Sequence, residues 1–291
     1  MGRSAVAKPG AARSPAEGVV VDRLVERCFD TTSGSDADAD GLDDACELAL
    51  ARSFAPALVV ESGHCDWDGA ARRPAGGYVF GVQPTGVADR VRIAYLPAYV
   101  RECGWSGAKC LLLHGACEGH SGDSEMIALE VQPAPGGRWR TTAIFLSAHC
   151  FGDGACRWYG GSELARFQWV ADEHFGAPVV WVARGTHANY PSPSACDRGH
   201  HFFDSCDQHD VTARFPVVSE LQNVGSRKAP FLGRAISGCV AAAELWQVPR
   251  GAVAGAEECF WSERPFRGWT RTTSGDAPTP YAVYLREVLG W

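Results

Sequence analysis

Six carboxylates and a glycine fall in one short run: Asp36, Asp38, Asp40, Asp43, Asp44 and Glu47, with Gly41 among them. The run from Asp36 to Glu47 satisfies the calcium-loop pattern D-x-[DN]-x-[DN]-G-x5-E at every specified place. A hard cation such as Ca2+ gathers about six to eight oxygens. Such a loop offers them from carboxylates at its first, third and fifth residues, a main-chain carbonyl at its seventh, its ninth residue, and a bidentate carboxylate at its twelfth. Here these are Asp36, Asp38, Asp40, the carbonyl of Leu42, Asp44 and Glu47, with Gly41 making the sharp turn. Mixtures of Asp, Ala, Gly and Ser also form solvated linkers, but a linker has no reason to hold the glycine and the final glutamate in register.

A second group of ligand-type residues lies at His120, Asp123 and Glu125. If Asp123 opens an extended run, Asp123 and Glu125 project to one face, and His120 in the preceding turn can fold over the same point. A divalent ion (Ca2+, Mg2+ or Mn2+) suits that donor set; the alternative is a hydrogen-bonded surface turn. His149 and His187 stand at expected strand ends, where sites tend to be built, although each taken singly reads as a structural histidine. His200, His201 and His209 go with a loop near Cys196 and Cys206. No G-x-S-x-G elbow, phosphate loop or dinucleotide fingerprint is present.

The elements that must position these residues follow from periodicity. Cys46 to Phe54 carries Leu48, Leu50, Ala51 and Phe54 at helical spacing and stops before Pro56, as the helix leaving a calcium loop should. Beyond it, short runs of Val, Ile, Phe, Tyr and Trp alternate with Gly, Pro and Asp, a β-sandwich pattern. Strands are expected at Tyr78–Gln83, Val91–Tyr99, Glu125–Gln132, Arg138–Ser147, Val179–Ala183 and Ala241–Gln247, with a hairpin turn at Pro133–Gly137. Leu164–Phe175 reads as a helix or an irregular crossover, and Tyr281–Leu289 as a short amphipathic helix or a last strand. The fold class predicted is mainly β: an antiparallel β-sandwich with short helices, preceded by an EF-hand-like calcium loop. The organisation predicted is a weakly ordered tail over 1–30, the loop and helix over 31–56, and the sandwich over 57–291.

The spacing H-x-x-D-x-E at His120, Asp123 and Glu125 resembles the heart of the G-H-R-H-D-W-E heptapeptide of necrosis- and ethylene-inducing-like proteins. Ser124 stands in place of its tryptophan and Gly122 in place of its second histidine. The order Gly122-Asp123-Ser124-Glu125, His149, Gly185-Thr186-His187-Ala188-Asn189-Tyr190-Pro191, Asn223-Val224-Gly225 and Phe266-Arg267-Gly268-Trp269 is similar to that of the vacuolar-sorting protein 62-like family. This resemblance runs as ordered short motifs over roughly residues 48–291. It implies a β-sandwich with a metal-centred polar site and, through the toxins among these proteins, association with a lipid surface.

Twelve cysteines exceed what a reducing compartment usually leaves as free thiols, and no C-x2-C pair suggests zinc. They are read as disulfides, with Cys150–Cys156 and Cys196–Cys206 as plausible local pairs that each close a short loop. An extracellular or periplasmic location follows, although Met1 to Gly18 shows no signal-peptide core, which is read as a start lying upstream or another route of export. A net charge of −7, with lysine at positions 8, 109 and 228 alone, excludes a nucleic-acid footprint. No stretch has the roughly 18 apolar residues of a membrane-spanning helix. Trp246, Trp261, Trp269 and Trp291 read as core before they read as a sugar platform.

The function predicted is a secreted, calcium-stabilised protein that binds a polar head group or glycan through the ion at His120, Asp123 and Glu125, in a toxin-like manner. One alternative is a metal-dependent hydrolase using the same site, with His149, His187 and Glu125 as its acid–base residues. Another is a structural domain with calcium at the Asp36–Glu47 loop alone.

Overall fold

A computed structural model describes residues 28–32, 34–61, 67–68, 73–74, 78–97, 99–101, 121–123, 125–148, 156–170, 176–197, 204–206, 209–214, 221–223 and 226. Among them the loop runs directly into helix α1, Asp44–Phe54. Asp43 caps it, its carboxylate accepting from the Cys46 amide at 3.0 Å, and Asp44 and Glu47 put negative charge in the first turn, where the helix dipole favours it. Cys46, Leu50 and Phe54 share one buried stripe with Glu47 and Ala51. The helix begins two residues earlier than its apolar period indicates, because the cap and not the hydrophobic stripe sets its start.

The strands are β1 Ala57–Glu61, β2 Trp67–Asp68, β3 Arg73–Pro74, β4 Tyr78–Pro84, β5 Val91–Pro97, β6 Tyr99–Arg101, β7 Ser121–Asp123, β8 Ile127–Ala134, β9 Arg138–Leu146, β10 Arg157–Gly160, β11 Gln168–Trp169, β12 Pro178–Val182, β13 Asn189–Tyr190, β14 His209–Arg214 and β15 Leu221–Asn223. A short 3-10 helix, Gly161–Arg166, follows β10 where a helix or crossover was expected to begin at Leu164, and α2 is the single turn Pro193–Asp197. One sheet has the order β11-β12-β1-β14 with β13 on β12, and a second has the order β10-β9-β8-β5-β4-β15. The hairpin turn between β8 and β9 lies where expected, with Gly136 and Gly137 at φ 83° and 71°, a region open to glycine.

The antiparallel expectation needs correcting. β1 pairs with β12 in parallel, and so does β15 with β4, so both sheets are mixed. Parallel neighbours are joined by long connections and leave no local turn signature to read. The expected strand Val91–Tyr99 is also divided, its end pairing as β6 with β7. The expected strand Ala241–Gln247, the terminal segment Tyr281–Leu289 and the four tryptophans of the tail lie outside the described residues.

Both sheets and α1 contribute to one apolar core: Leu58 and Val180 from the first sheet, Ile93 and Leu129 from the second, and Leu50 and Phe54 from the helix. Tyr95, fully buried on β5, donates its hydroxyl to the Ala51 carbonyl at 2.7 Å. That bond satisfies a carbonyl of the last helical turn and fixes α1, and with it the end of the acidic loop, against the sheet.

Candidate metal centre

The loop folds around its own first carboxylate. Asp36 Oδ1 accepts from the Asp40 amide at 3.0 Å and Oδ2 from the Gly41 amide at 3.1 Å. Asp40 Oδ1 accepts from the Leu42 amide at 2.7 Å, and Asp44 Oδ1 from the Ala37 amide at 3.1 Å. Gly41 sits at φ 99°, a conformation L side chains rarely adopt, which accounts for glycine in the middle of the run. A disulfide from Cys28 to Cys46 brackets the loop up to its last ligand-type residue, and the Asp43 amide donates to the Cys28 carbonyl at 2.9 Å.

This wrapping brings the carboxylates together. Ligand oxygens of Asp36, Asp38 and Asp40 lie within 4.8 Å of one another, and so do those of Asp38, Asp44 and Glu47, with Asp38 common to both groups. Asp38 and Glu47 are each 0% exposed. Neither oxygen of Asp38 finds a hydrogen-bond donor, nor does Oε1 of Glu47, whereas Oε2 of Glu47 accepts from Asn223 Nδ2 at 3.2 Å. Burial, then the charges of Asp40 and Asp36, push the Asp38 carboxyl up to about 7. Burial, then Asp38, Asp40 and Asp44, push Glu47 up to about 10. A buried carboxylate without donors is costly as an anion, and an all-oxygen donor set of this charge could hold a hard metal ion.

The second group is arranged differently. His120 and His149 lie outside the described residues, as do Ser124 and Cys150. Asp123 ends β7, paired with Tyr99 of β6, while Glu125 precedes β8 in the other sheet, so one extended run does not carry both residues. Among the described residues, metal-ligating side chains gather in the acidic loop and not around Glu125. Glu125 is 3% exposed and accepts a short hydrogen bond from the Ser147 hydroxyl. Its main-chain carbonyl accepts from Asn189 Nδ2 at 3.2 Å, and the Asn189 amide donates to the Ser147 carbonyl at 2.9 Å. His187, buried at φ 58°, occupies the tight turn between β12 and β13 that carries Asn189.

A neighbouring pair of hydroxyls converges on Asp204, which accepts from Thr186 Oγ1 at 2.8 Å and from the Tyr190 hydroxyl. Burial raises the Tyr190 phenol above its ordinary range, and the charges of Asp204 and Glu125 raise it further. The Cys196–Cys206 disulfide, one of the two pairs expected, ties α2 to the segment holding Asp204. Cys156 is also disulfide-bonded. Asp204→Ala would strand two buried hydroxyls, each costing about 1–3 kcal/mol. Urea unfolding is expected to show the loss.

Sequence reasoning missed Ser147, Asn189, Tyr190 and Asp204 as partners, and Asn223 and Ser226 as neighbours of the loop. The Asn-Tyr-Pro and Asn-Val-Gly motifs drew attention to two of these places without saying what they touch.

No family model matches the chain, and no curated protein does. A solved structure described as "Toxin fold for microbial attack and plant defense" aligns over 65% of this chain and 75% of its own, at 11% identity and a TM-score of 0.35. That likeness is too low to assign a fold family or a role. No helix among the described residues is long and apolar enough to cross a membrane.

Proposed function

We propose that this chain is an extracellular, calcium-stabilised β-sandwich protein whose EF-hand-like loop, Asp36 to Glu47, holds one Ca2+ and seats α1 on the core. The observation that carries this reading is the pair of fully buried carboxylates, Asp38 and Glu47, with three oxygens lacking any donor. A divalent cation would turn that mutual repulsion into attraction, and oxygen donors with a carboxylate at the twelfth place favour Ca2+, which accepts bidentate ligation, over the stricter octahedron of Mg2+. The disulfides Cys28–Cys46 and Cys196–Cys206 support an oxidising location, where calcium is plentiful.

In the same reading the polar cluster at Glu125 takes a polar head group or glycan. The Ser147–Glu125 side-chain bond, with the Asn189 side chain holding the Glu125 main-chain carbonyl, supports a preorganised floor for a polar ligand. A second divalent ion at His120, Asp123 and Glu125 is carried into this reading by the H-x-x-D-x-E resemblance. The Glu125 carboxylate is already engaged by Ser147, which favours binding over the hydrolase alternative.

Calorimetric titration of the metal-free chain with CaCl2, followed by anomalous diffraction from Mn2+-soaked crystals, tests this. One equivalent of Ca2+ is expected at the loop, and a second ion at Glu125 if the head-group site is metal-centred. At a hundred times Kd, binding adds about 2.7 kcal/mol, a rise in Tm of roughly 5–10 °C. No heat of binding and an unchanged Tm would overturn the calcium reading.

A further inference from the structure

Two side chains from the other end of the described chain reach the acidic loop. Asn223 Nδ2 donates to Glu47 Oε2 at 3.2 Å across 176 residues, and Ser226 Oγ donates to the Asp38 carbonyl at 2.5 Å across 188. Each bond lands on one of the two fully buried acidic residues of the loop, Asp38 and Glu47. Asn223 is also the last residue of β15, which joins its sheet through a parallel ladder of three pairs: Leu221 with Tyr78, Gln222 with Val79 and Asn223 with Phe80. A ladder that short, parallel and at a sheet edge is weakly held. Two further hydrogen bonds tie this edge to the acidic loop.

We infer that the loop and the edge strand form one coupled unit: a cation in the Asp36–Glu47 loop pins β15 onto β4, and Asn223 and Ser226 set the loop's affinity for that cation. This rests on the calcium reading above. Asn223 and Ser226 are positioning residues that act through Glu47 and through the main chain of Asp38. A neutral amide suits the first task, because it orients a carboxylate without cancelling the charge that attracts the ion, as a lysine or arginine would. The coupling is reciprocal by linkage: whatever factor strand docking adds to cation affinity, the cation adds to docking.

The test uses the whole chain, CaCl2 and two readouts. Hydrogen–deuterium exchange of the unmodified protein, metal-free and calcium-saturated, follows the amides of 221–223 and 78–80. Calcium is expected to slow that ladder by about 10-fold or more, the scale of outer-partner effects on metal sites, while the central β5–β8 ladder stays protected in both states. Calorimetry of Asn223→Ala is expected to show Ca2+ bound about 10-fold or more weakly, with Ser226→Ala changed in the same direction. If the unmodified chain binds calcium yet exchange at 221–223 and 78–80 does not change, the coupling is overturned and the calcium reading stands. Wild-type affinity in both variants has the same meaning. If the unmodified chain gives no heat of binding, the calcium reading itself fails and the coupling goes with it. Should a variant not fold, the exchange measurement on the unmodified chain decides.

Discussion

Replacing Glu47 with glutamine is expected to stabilise the metal-free protein and to abolish its response to calcium, two effects of opposite sign from one substitution. Glu47 is 0% exposed, with Asp38, Asp40 and Asp44 acting on it electrostatically. Without a cation it must hold a proton or bear a buried charge. Glutamine has nearly the same shape and no charge, and its side-chain oxygen can still accept from Asn223, so the apo protein loses a repulsion and keeps a bond. The same change would remove a bidentate ligand from the proposed calcium site. The calcium-induced rise in Tm, roughly 5–10 °C in the parent at a hundred times Kd, is expected to vanish. Scanning calorimetry with and without CaCl2 reads both effects. A glutamine variant that melts lower than the parent when metal-free and still rises with calcium would sink the assignment. Glu47→Ala is the contrast: it opens a cavity under α1 and lowers stability in either state.

Metal-free protein is expected to lose stability as pH rises from 5 to 8, and calcium to remove that loss. The sign follows from the two raised carboxyls, Asp38 at about 7 and Glu47 at about 10. In the unfolded chain both titrate in the ordinary carboxylate range, about 4. Between those values the folded state holds protons that the unfolded state has released, so stability falls as pH rises. The contribution is fully present below about 4, declines through about 7 as Asp38 ionises, and continues to decline toward about 10 for Glu47. Calcium requires both groups deprotonated, so its binding releases protons and strengthens with pH. Thermal melts of chelator-treated parent and Glu47→Gln protein across this range isolate the effect as a difference between two curves. Metal-free stability that climbs relative to the glutamine variant would contradict it.

What could be read from sequence was local. The loop pattern, the helix after it, the β8–β9 hairpin and most strand centres follow from spacing and turn residues within a few positions. Val91–Tyr99 was read too long because period-two alternation does not mark where a strand changes partner. Asp36 and Asp38 are indistinguishable in sequence, yet one is half-exposed and satisfied by loop amides while the other is buried without donors. That difference depends on α1 and on Asn223 and Ser226 reaching the loop. Glu125 was placed inside a strand beside Asp123. Its actual position, between β7 and β8, follows from a break between two sheets that alternation does not signal. The parallel partners of β1 and β4 lie more than a hundred residues away in the chain, beyond the reach of any local pattern.

The bond between Asn223 and Glu47 also orders events during synthesis. A polypeptide made from its amino end presents the entire calcium pattern long before residues 223–226 exist to meet it. Closing so long a separation costs entropy that grows only slowly with length, but contacts this distant in sequence form late and slow folding. Truncation before residue 223 would leave the pattern intact and remove the donors that seat it. On the proposed coupling, a chain stalled before residue 223 would bind calcium more weakly than the finished protein, because the donors to Glu47 and to the Asp38 main chain would be missing.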